Sequence, residues 1–511
     1  MNTKKCVSLA SAIALILTIS SCKWLFKKPT RETVLDKVVS IPKDLVLDIP
    51  HLPPLCDEIK DLKGGYVDVG NNGKLYYEEH GQGIPIVLLS GGPGETHHVF
   101  HPYFSKIKDF ARVIYYDQRG VGKSSKDETG KTYTIKQTVE DLENLRKALK
   151  VDKWIVLGCD YGGFLAQCYS LTYPKNCTGL VLIPSRPQVS IEGALFGLIN
   201  TFLSKEEQKA IGNVIEKLYK NEISEQQALY NEMLCGGWKG RAYYKPTPDE
   251  MTRTALYEWQ PAIGLCSLIR LQKLAIDLEG KFDDFEIPTL IIESKRNLAW
   301  DKDKTEIIRK NHPNAQFAIF DKSSHRMFAD ESEKFFDILS KFMKKSNEAK
   351  IVYKPSRKIA WPKELSEWRR KIKIAMSLKS DEETSNKLLS LYNQAVQADV
   401  KDYLFWGDMF FSFWGNMHFP EVKKHIEESL DSLNRYEKCA KISASPDLFK
   451  KIVRRVKPFR GRMLDLLGRR DEAIKCYKEY LSKFDPETDF DKEEIEKYLQ
   501  EPFTLEPLTL D

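Results

Sequence analysis

The sequence predicts two unlike parts: an α/β half built on a mostly parallel sheet, and an all-helical half from about residue 363. Three observations carry this. Short apolar runs alternate with amphipathic helical stretches between residues 65 and 342. The run Val156-Leu157-Gly158-Cys159-Asp160-Tyr161-Gly162-Gly163-Phe164-Leu165 reads as strand, tight turn and helix. After about residue 363 only helical spacing of apolar residues remains. At 511 residues the chain exceeds one ordinary core, so more than one domain is expected.

Taken in order, Lys4 and Lys5 precede an apolar run from Val7 to Ile19, and Ile19-Ser20-Ser21-Cys22 resembles the bacterial lipobox. The run is short for a spanning helix. Residues 1–22 thus read as a lipoprotein signal peptide, with Cys22 the lipid-attachment residue. The expected location is the bacterial cell envelope, on the extracytoplasmic face of a membrane. Residues 23–62 carry Pro29, Pro42, Pro50, Pro53 and Pro54 with little periodicity and read as a tether. Strands are expected at Tyr66–Val69 and Leu75–Glu79, flanking the hairpin signature Asn71-Asn72-Gly73. Further strands follow at Ile84–Leu89, Arg112–Tyr116, Trp154–Leu157, Gly179–Ile183, Pro288–Ile292 and Gln316–Phe320, with a helix over Thr134–Leu149.

The helical stretch from about 187 to 280 falls between two strands and reads as a cap over the strand ends. These elements define a domain over 63–345, a linker over 346–362, helices over 363–490 and a tail over 491–511. Arg460-Gly461, Asp465-Leu466-Leu467-Gly468-Arg469, Glu472-Ala473-Ile474 and Tyr477 resemble a tetratricopeptide repeat, with Gly468 and Ala473 read as the residues that let helices approach. Leu388–Trp414 reads as a degenerate earlier repeat.

Composition narrows the function. The net charge of +6 arises from intermixed acids and bases without a basic stripe, which excludes a nucleic-acid partner. Apart from Cys6 and Cys22, the cysteines lack metal-ligand spacing, and Cys159, Cys168 and Cys177 read as buried thiols. His97 and His101 share a four-residue spacing next to His98, but no carboxylate or cysteine partner is apparent. They read as pocket-wall or surface residues, so no metal and no cofactor are expected.

Chemistry concentrates at Gly158-Cys159-Asp160-Tyr161-Gly162, a Gly-x-nucleophile-x-Gly elbow with a carboxylate in the middle. A serine there attacks acyl groups; a carboxylate favours displacement at an alkyl carbon. Cys159 sits one residue early and is expected to point into the fold.

Ser90-Gly91-Gly92-Pro93-Gly94, then Tyr116-Asp117-Gln118-Arg119-Gly120-Val121-Gly122-Lys123-Ser124, then this elbow resemble the proline iminopeptidase branch of α/β hydrolases, over 65–185 and again over 285–342. The resemblance implies an α/β-hydrolase fold with a helical cap. It implies an oxyanion hole from the amides of Gly92 and Tyr161, and His325 as the catalytic base. The family's acid position falls on Asn297, whose amide cannot stabilise an imidazolium; Glu293 and Asp301 are the substitutes at hand. Ser90 stands where the family usually has histidine.

The Gly-x-Asp-x-Gly-Gly elbow is also similar to those of haloalkane dehalogenases and epoxide hydrolases. Epoxide hydrolases use cap tyrosines, here Tyr219, Tyr230, Tyr243, Tyr244 and Tyr257; the peptidases use cap glutamates, here Glu216, Glu222, Glu225 and Glu258. A carboxylate attacking an amide would form an anhydride, an unfavourable route to peptide hydrolysis. Two readings follow. One is a hydrolase of a small molecule or short peptide-like substrate, with Asp160 as nucleophile. The other is an inert site, Asp160 paired with His325, in a scaffold whose helical repeats bind a protein partner.

Overall fold

A computed structural model describes residues 41–183, 203–219, 222–240, 244–274, 276–295, 308–351, 358–362, 364–377, 381–415, 425–444, 446–482, 484 and 492–504. The signal segment and Cys22 lie outside the described residues. The chain divides into a first unit ending at Glu364 and a second beginning at Leu365.

The first unit is built on an eight-stranded sheet: β1 (Lys63–Gly70), β2 (Gly73–His80), β3 (Ile84–Leu89), β4 (Ala111–Tyr116), β5 (Trp154–Cys159), β6 (Cys177–Ile183), β7 (Thr289–Ser294) and β8 (Gln316–Phe320). Their spatial order is β1-β2-β4-β3-β5-β6-β7-β8. β2 runs antiparallel to both neighbours, and every pair from β4 to β8 is parallel. The β1–β2 turn places Asn71 and Asn72 at φ 49° and 55°, left-handed conformations that asparagine tolerates and a two-residue hairpin demands.

Helices α1 (Ile135–Ala148) and α2 (Tyr161–Thr172) precede and follow β5. Thr134 caps α1 by accepting from the Gln137 amide, and the 3.6-residue repeat buries Ile135, Val139, Leu142 and Leu145. The cap contributes α3 (Lys205–Tyr219), α4 (Glu225–Leu234), α5 (Pro248–Arg253) and α6 (Leu265–Leu274), and α7 (Ser332–Glu348) follows β8. Pleating sorts the faces of the sheet. Ile155, Leu157 and Cys159 of β5 share a core with Phe335, Phe336, Leu339, Phe342 and Met343 of α7. Gly158 between them faces α2. Each buried phenylalanine contributes about 1.5–3 kcal/mol, so α7 is a principal anchor of this face.

The expected tether is in part a strap. Asn231 of α4 accepts from the Val46 amide at 2.8 Å and donates to the Val46 carbonyl at 2.9 Å. Gln227 donates to the Leu47 carbonyl, and Arg253 to that of Pro53. Val46 and Ile49 pack on the cap cluster around Trp238, and Ile41 and Leu45 on that around Val214. Much of the anchoring runs through backbone groups of Val46, Leu47 and Pro53 and not through a repeating apolar face, which explains why the segment shows no periodicity.

The second unit contains, among its described residues, α8 (Glu367–Ala375), α9 (Asp381–Gln397), α10 (Tyr403–Gly415), α11 (Ile426–Ser443), α12 (Pro446–Leu466), α13 (Arg470–Leu481) and α14 (Lys492–Gln500). One core gathers Leu388, Leu391, Phe405, Trp406 and Met409; another gathers Leu433, Val456, Met463, Ala473 and Tyr477. Tyr403 and Tyr436 pack against both. The glycine that permits close helix approach is Gly461, where a Cβ would lie 2.3 Å from the Tyr477 ring. Gly468 instead takes φ +74° past the end of α12 with open space around it, so it serves the turn rather than the packing.

Candidate active site

The elbow joins β5 to α2. Asp160 sits at φ 48° and ψ −113°, a strained conformation that costs a non-glycine residue on the order of 1–3 kcal/mol. Backbone bonds hold it there: its amide donates to Ile183 O at 3.0 Å, and its carbonyl accepts from Gly163 and Phe164 at 3.0 and 3.2 Å. The flanking glycines are required by space. A Cβ on Gly158 would stand 2.2 Å from Gly162 O, and one on Gly162 would stand 2.1 Å from Leu89 O. Asp160 is partly exposed, and among the described residues its carboxylate makes no hydrogen bond or ion pair.

The glycine-rich turn after β3 lies against it, since a Cβ on Gly91 would be 3.5 Å from that of Asp160. Gly92 holds φ +113°, where a side chain would meet the Gly94 amide at 2.3 Å. Ser90 Oγ donates to the Glu95 carbonyl at 2.7 Å, and Gln118 Nε2 to the Ser90 carbonyl at 3.0 Å. Among the described residues, the Gly92 and Tyr161 amides donate to no acceptor. Glu95, which the sequence reading passed over, turns its carboxylate into this turn and accepts from the Gly91 amide at 3.1 Å. Its place directly after Ser90–Gly94 was the available signal.

His325 follows β8 on a loop pinned by carboxylates: Glu331 accepts from the Lys322 amide and the Ser323 hydroxyl, and Asp330 from the Ser324 amide. Its Nε2 stands 3.9 Å from Cys159 Sγ, which brings the imidazole to the elbow. Cys159 is buried as expected. Burial, then the charges of Glu95 and Asp160, push its thiol well above the ordinary range. It is a protonated neighbour of His325 and not a nucleophile.

Arg326, the residue after His325, pairs with Glu258 through two bonds of 3.1 and 2.6 Å. Desolvation works against its charge, but Glu258 outweighs it and holds the guanidinium ionised. This commits Glu258, the cap glutamate next to the site. Glu222 pairs with Lys217. Of the cap tyrosines, Tyr257 donates to Leu52 O, Tyr230 packs in the cap core and Tyr244 is exposed. Tyr243 and the Tyr219 side chain lie outside the described residues. So do Asn297 and Asp301; Glu293 is buried within β7, opposite Ile319.

The cap is laced to both glycine turns. Thr96 N donates to Glu258 O, Gln260 N to Gly94 O, Gly122 N to Gln260 O and Ala262 N to Gly120 O. The floor of the cap is thus fixed to the turn that carries Gly92.

The histidines after that turn need correction. His97 and His101 are buried rather than wall or surface residues, and carboxylates do meet them: Asp117 and Glu78. Those partners arrive from β2 and the end of β4, so spacing along the chain conceals them.

Residues 84–332 match the family model described as alpha/beta hydrolase fold. With the strand order and the elbow, this decides the fold. The N-terminal unit has the α/β-hydrolase fold. The hydrolase domain has proline iminopeptidase homologues. It is 28% identical over 294 residues to a proline iminopeptidase of Clostridium botulinum, covering 54% of this chain and 96% of that one. It is 27% identical over 289 residues to one of Saccharolobus solfataricus, covering 52% of this chain and 87% of that one. A probable proline iminopeptidase of Leptolyngbya boryana is 39% identical over 131 residues, 25% of this chain and 40% of that protein.

Proposed function

We propose that the hydrolase domain is a working hydrolase in which Asp160 is the nucleophile and His325 the base. Its substrate is a small molecule or short peptide-like compound with an electrophilic carbon, admitted beneath the cap. The observation that carries this is the partly exposed Asp160, held in a strained backbone conformation and unpaired among the described residues, on an elbow where the preceding Cys159 Sγ stands 3.9 Å from His325 Nε2. The inert alternative needs an Asp160–His325 pair, and among the described residues Asp160 makes none.

The chemistry balances in two steps. An Asp160 oxygen attacks the carbon, and the carbon–leaving-group bond breaks with its electron pair on the leaving group. The product is an alkyl ester on Asp160. His325 then takes a proton from water, and the hydroxide attacks Cγ of Asp160. The oxyanion so formed rests on the Gly92 and Tyr161 amides, a setting in which each donor is worth about 2.7–4 kcal/mol. Collapse expels the alcohol, which takes the proton from His325, and leaves Asp160 as the acid; its proton passes to solvent as the counterpart of the released leaving group, which restores the carboxylate.

Anchoring through lipid on Cys22 would place this site at the bacterial cell envelope, on the extracytoplasmic side. The helical unit, tetratricopeptide-like around Gly461 to Tyr477, would supply a surface for a protein partner.

The test is a panel of alkyl halides, epoxides, short esters and prolyl amides, read by intact mass. His325→Ala should accumulate a covalent ester that Asp160→Asn does not form. Turnover that survives Asp160→Asn sinks the proposal.

A further inference from the structure

The buried polar cluster that joins β2 to the segment following the glycine-rich turn has no part in that chemistry. Glu78, His97, His101 and Asp117 are 3%, 1%, 2% and 0% exposed. The ligand-type atoms of Glu78, His97 and His101 all lie within 4.8 Å of one another. His97 Nε2 is 3.3 Å from Glu78 Oε1, and His101 Nε2 is 2.9 Å from Glu78 Oε2. Two donors held about 2.0–2.2 Å from one tetrahedral ion stand roughly 3.3 Å apart. The cluster needs little movement to reach that spacing.

The surroundings are those of a ligand set. Metal-binding histidines usually give their other nitrogen to a carboxylate, which fixes ring and tautomer. His97 does this, with Nδ1 at 2.8 Å from Asp117 Oδ1. Asp117 is itself held by the amides of His97 and Lys123, each at 2.9 Å. Tyr76 Oη donates to Glu78 Oε1 at 2.7 Å. Buried His97 Nε2 has no hydrogen-bond partner. The Cys56 thiol groups instead with His97 and His98, apart from Glu78 and His101.

Charge points the same way. Two buried carboxylates with neutral imidazoles leave an uncompensated negative charge, which is costly in the interior. One divalent cation brings the sum to zero. The competing arrangement puts a proton on His97 in the ion's place.

We propose that Glu78, His97 and His101 bind a zinc-like divalent ion. Full burial and the absence of a role in the displacement make the site structural. It fastens β2 to the segment that follows Gly91 and Gly92.

The test uses the full chain, tag-free in detergent, loaded with zinc, dialysed and assayed by elemental mass spectrometry. Roughly one ion per chain is expected, lost in His101→Gln and in Glu78→Gln. Because such variants can misfold, the wild type is also melted with zinc and with chelator. Zinc should raise the melting temperature, and chelator should lower it. Cobalt loading should give absorption bands of a low-coordinate ion that His101→Gln removes. A folded wild type that retains no stoichiometric zinc, and melts identically with zinc or chelator, overturns the site in favour of the protonated network.

Discussion

Replacing Gly162 by alanine tests the elbow through packing alone. The new Cβ would stand 2.1 Å from Leu89 O and 2.6 Å from Leu89 C and Ser90 O. Ordinary C···O approach is about 3.3–3.6 Å, so more than an ångström must be found. All three opposing atoms are backbone, and no rotamer change can supply it. Overpacking costs about 1–3 kcal/mol and sometimes more, and a rigid wall places this case at the top, about 3–4 kcal/mol. Alanine in a helix returns up to about 1 kcal/mol over glycine. The net loss is about 2–3 kcal/mol, a fall of roughly 5–10 °C in the melting of the hydrolase domain. Calorimetry is the assay, with Gly65→Ala as control. There the Cβ would meet only the Tyr77 ring at 3.5 Å, an ordinary contact. Gly162→Ala melting within about 2 °C of wild type would show that the turn does not hold Asp160 as described.

Three further outcomes follow from the same geometry. Cys159→Ala should keep turnover within about threefold, since a thiol held protonated is no nucleophile; a hundredfold loss, about 2.7 kcal/mol, would contradict that. Glu258→Gln leaves Arg326 without its partner. With side chains 15% and 18% exposed, the cost falls below that of a fully buried pair, about 1–2 kcal/mol, read as a drop in urea midpoint. His312, stacked on Phe282 and bonded to Gln167, is pushed down from 6.5 to about 3 by burial. Its contribution to stability is fully present above pH 6.5 and is lost as pH falls toward 3, because the unfolded chain binds a proton that the folded one refuses. The slope is about 1.4 kcal/mol per pH unit, and His312→Gln should reduce the measured slope by that amount.

The sheet was legible because buried parallel strands are plain apolar runs, as in Ile84–Leu89 and Trp154–Cys159, and because Asn71-Asn72-Gly73 writes its hairpin locally. The elbow was legible because its glycines are forced by space. What escaped is held by contacts between distant residues. The strap over the cap rests on Asn231 and Gln227 reaching backbone 185 and 180 residues away. Arg326 finds Glu258 across 68 residues, and His97 finds Asp117 across 20. The exchange of roles between Gly461 and Gly468 was hidden for another reason. Both are small residues in one motif, and only the backbone angle and the Tyr477 ring separate close packing from a turn.

The central claim is a covalent ester on Asp160, and water labelled with heavy oxygen tests it most directly. The first panel compound that turns over is run through many cycles in labelled water, and the peptide carrying Asp160 is then weighed. The account predicts label in the Asp160 carboxylate, because each cycle exchanges one of its oxygens for one from water. It also predicts an unlabelled product oxygen in the first turnover with enzyme in excess. Label confined to the product, with Asp160 unlabelled, would mean that water or another group attacks the substrate and that Asp160 is no nucleophile.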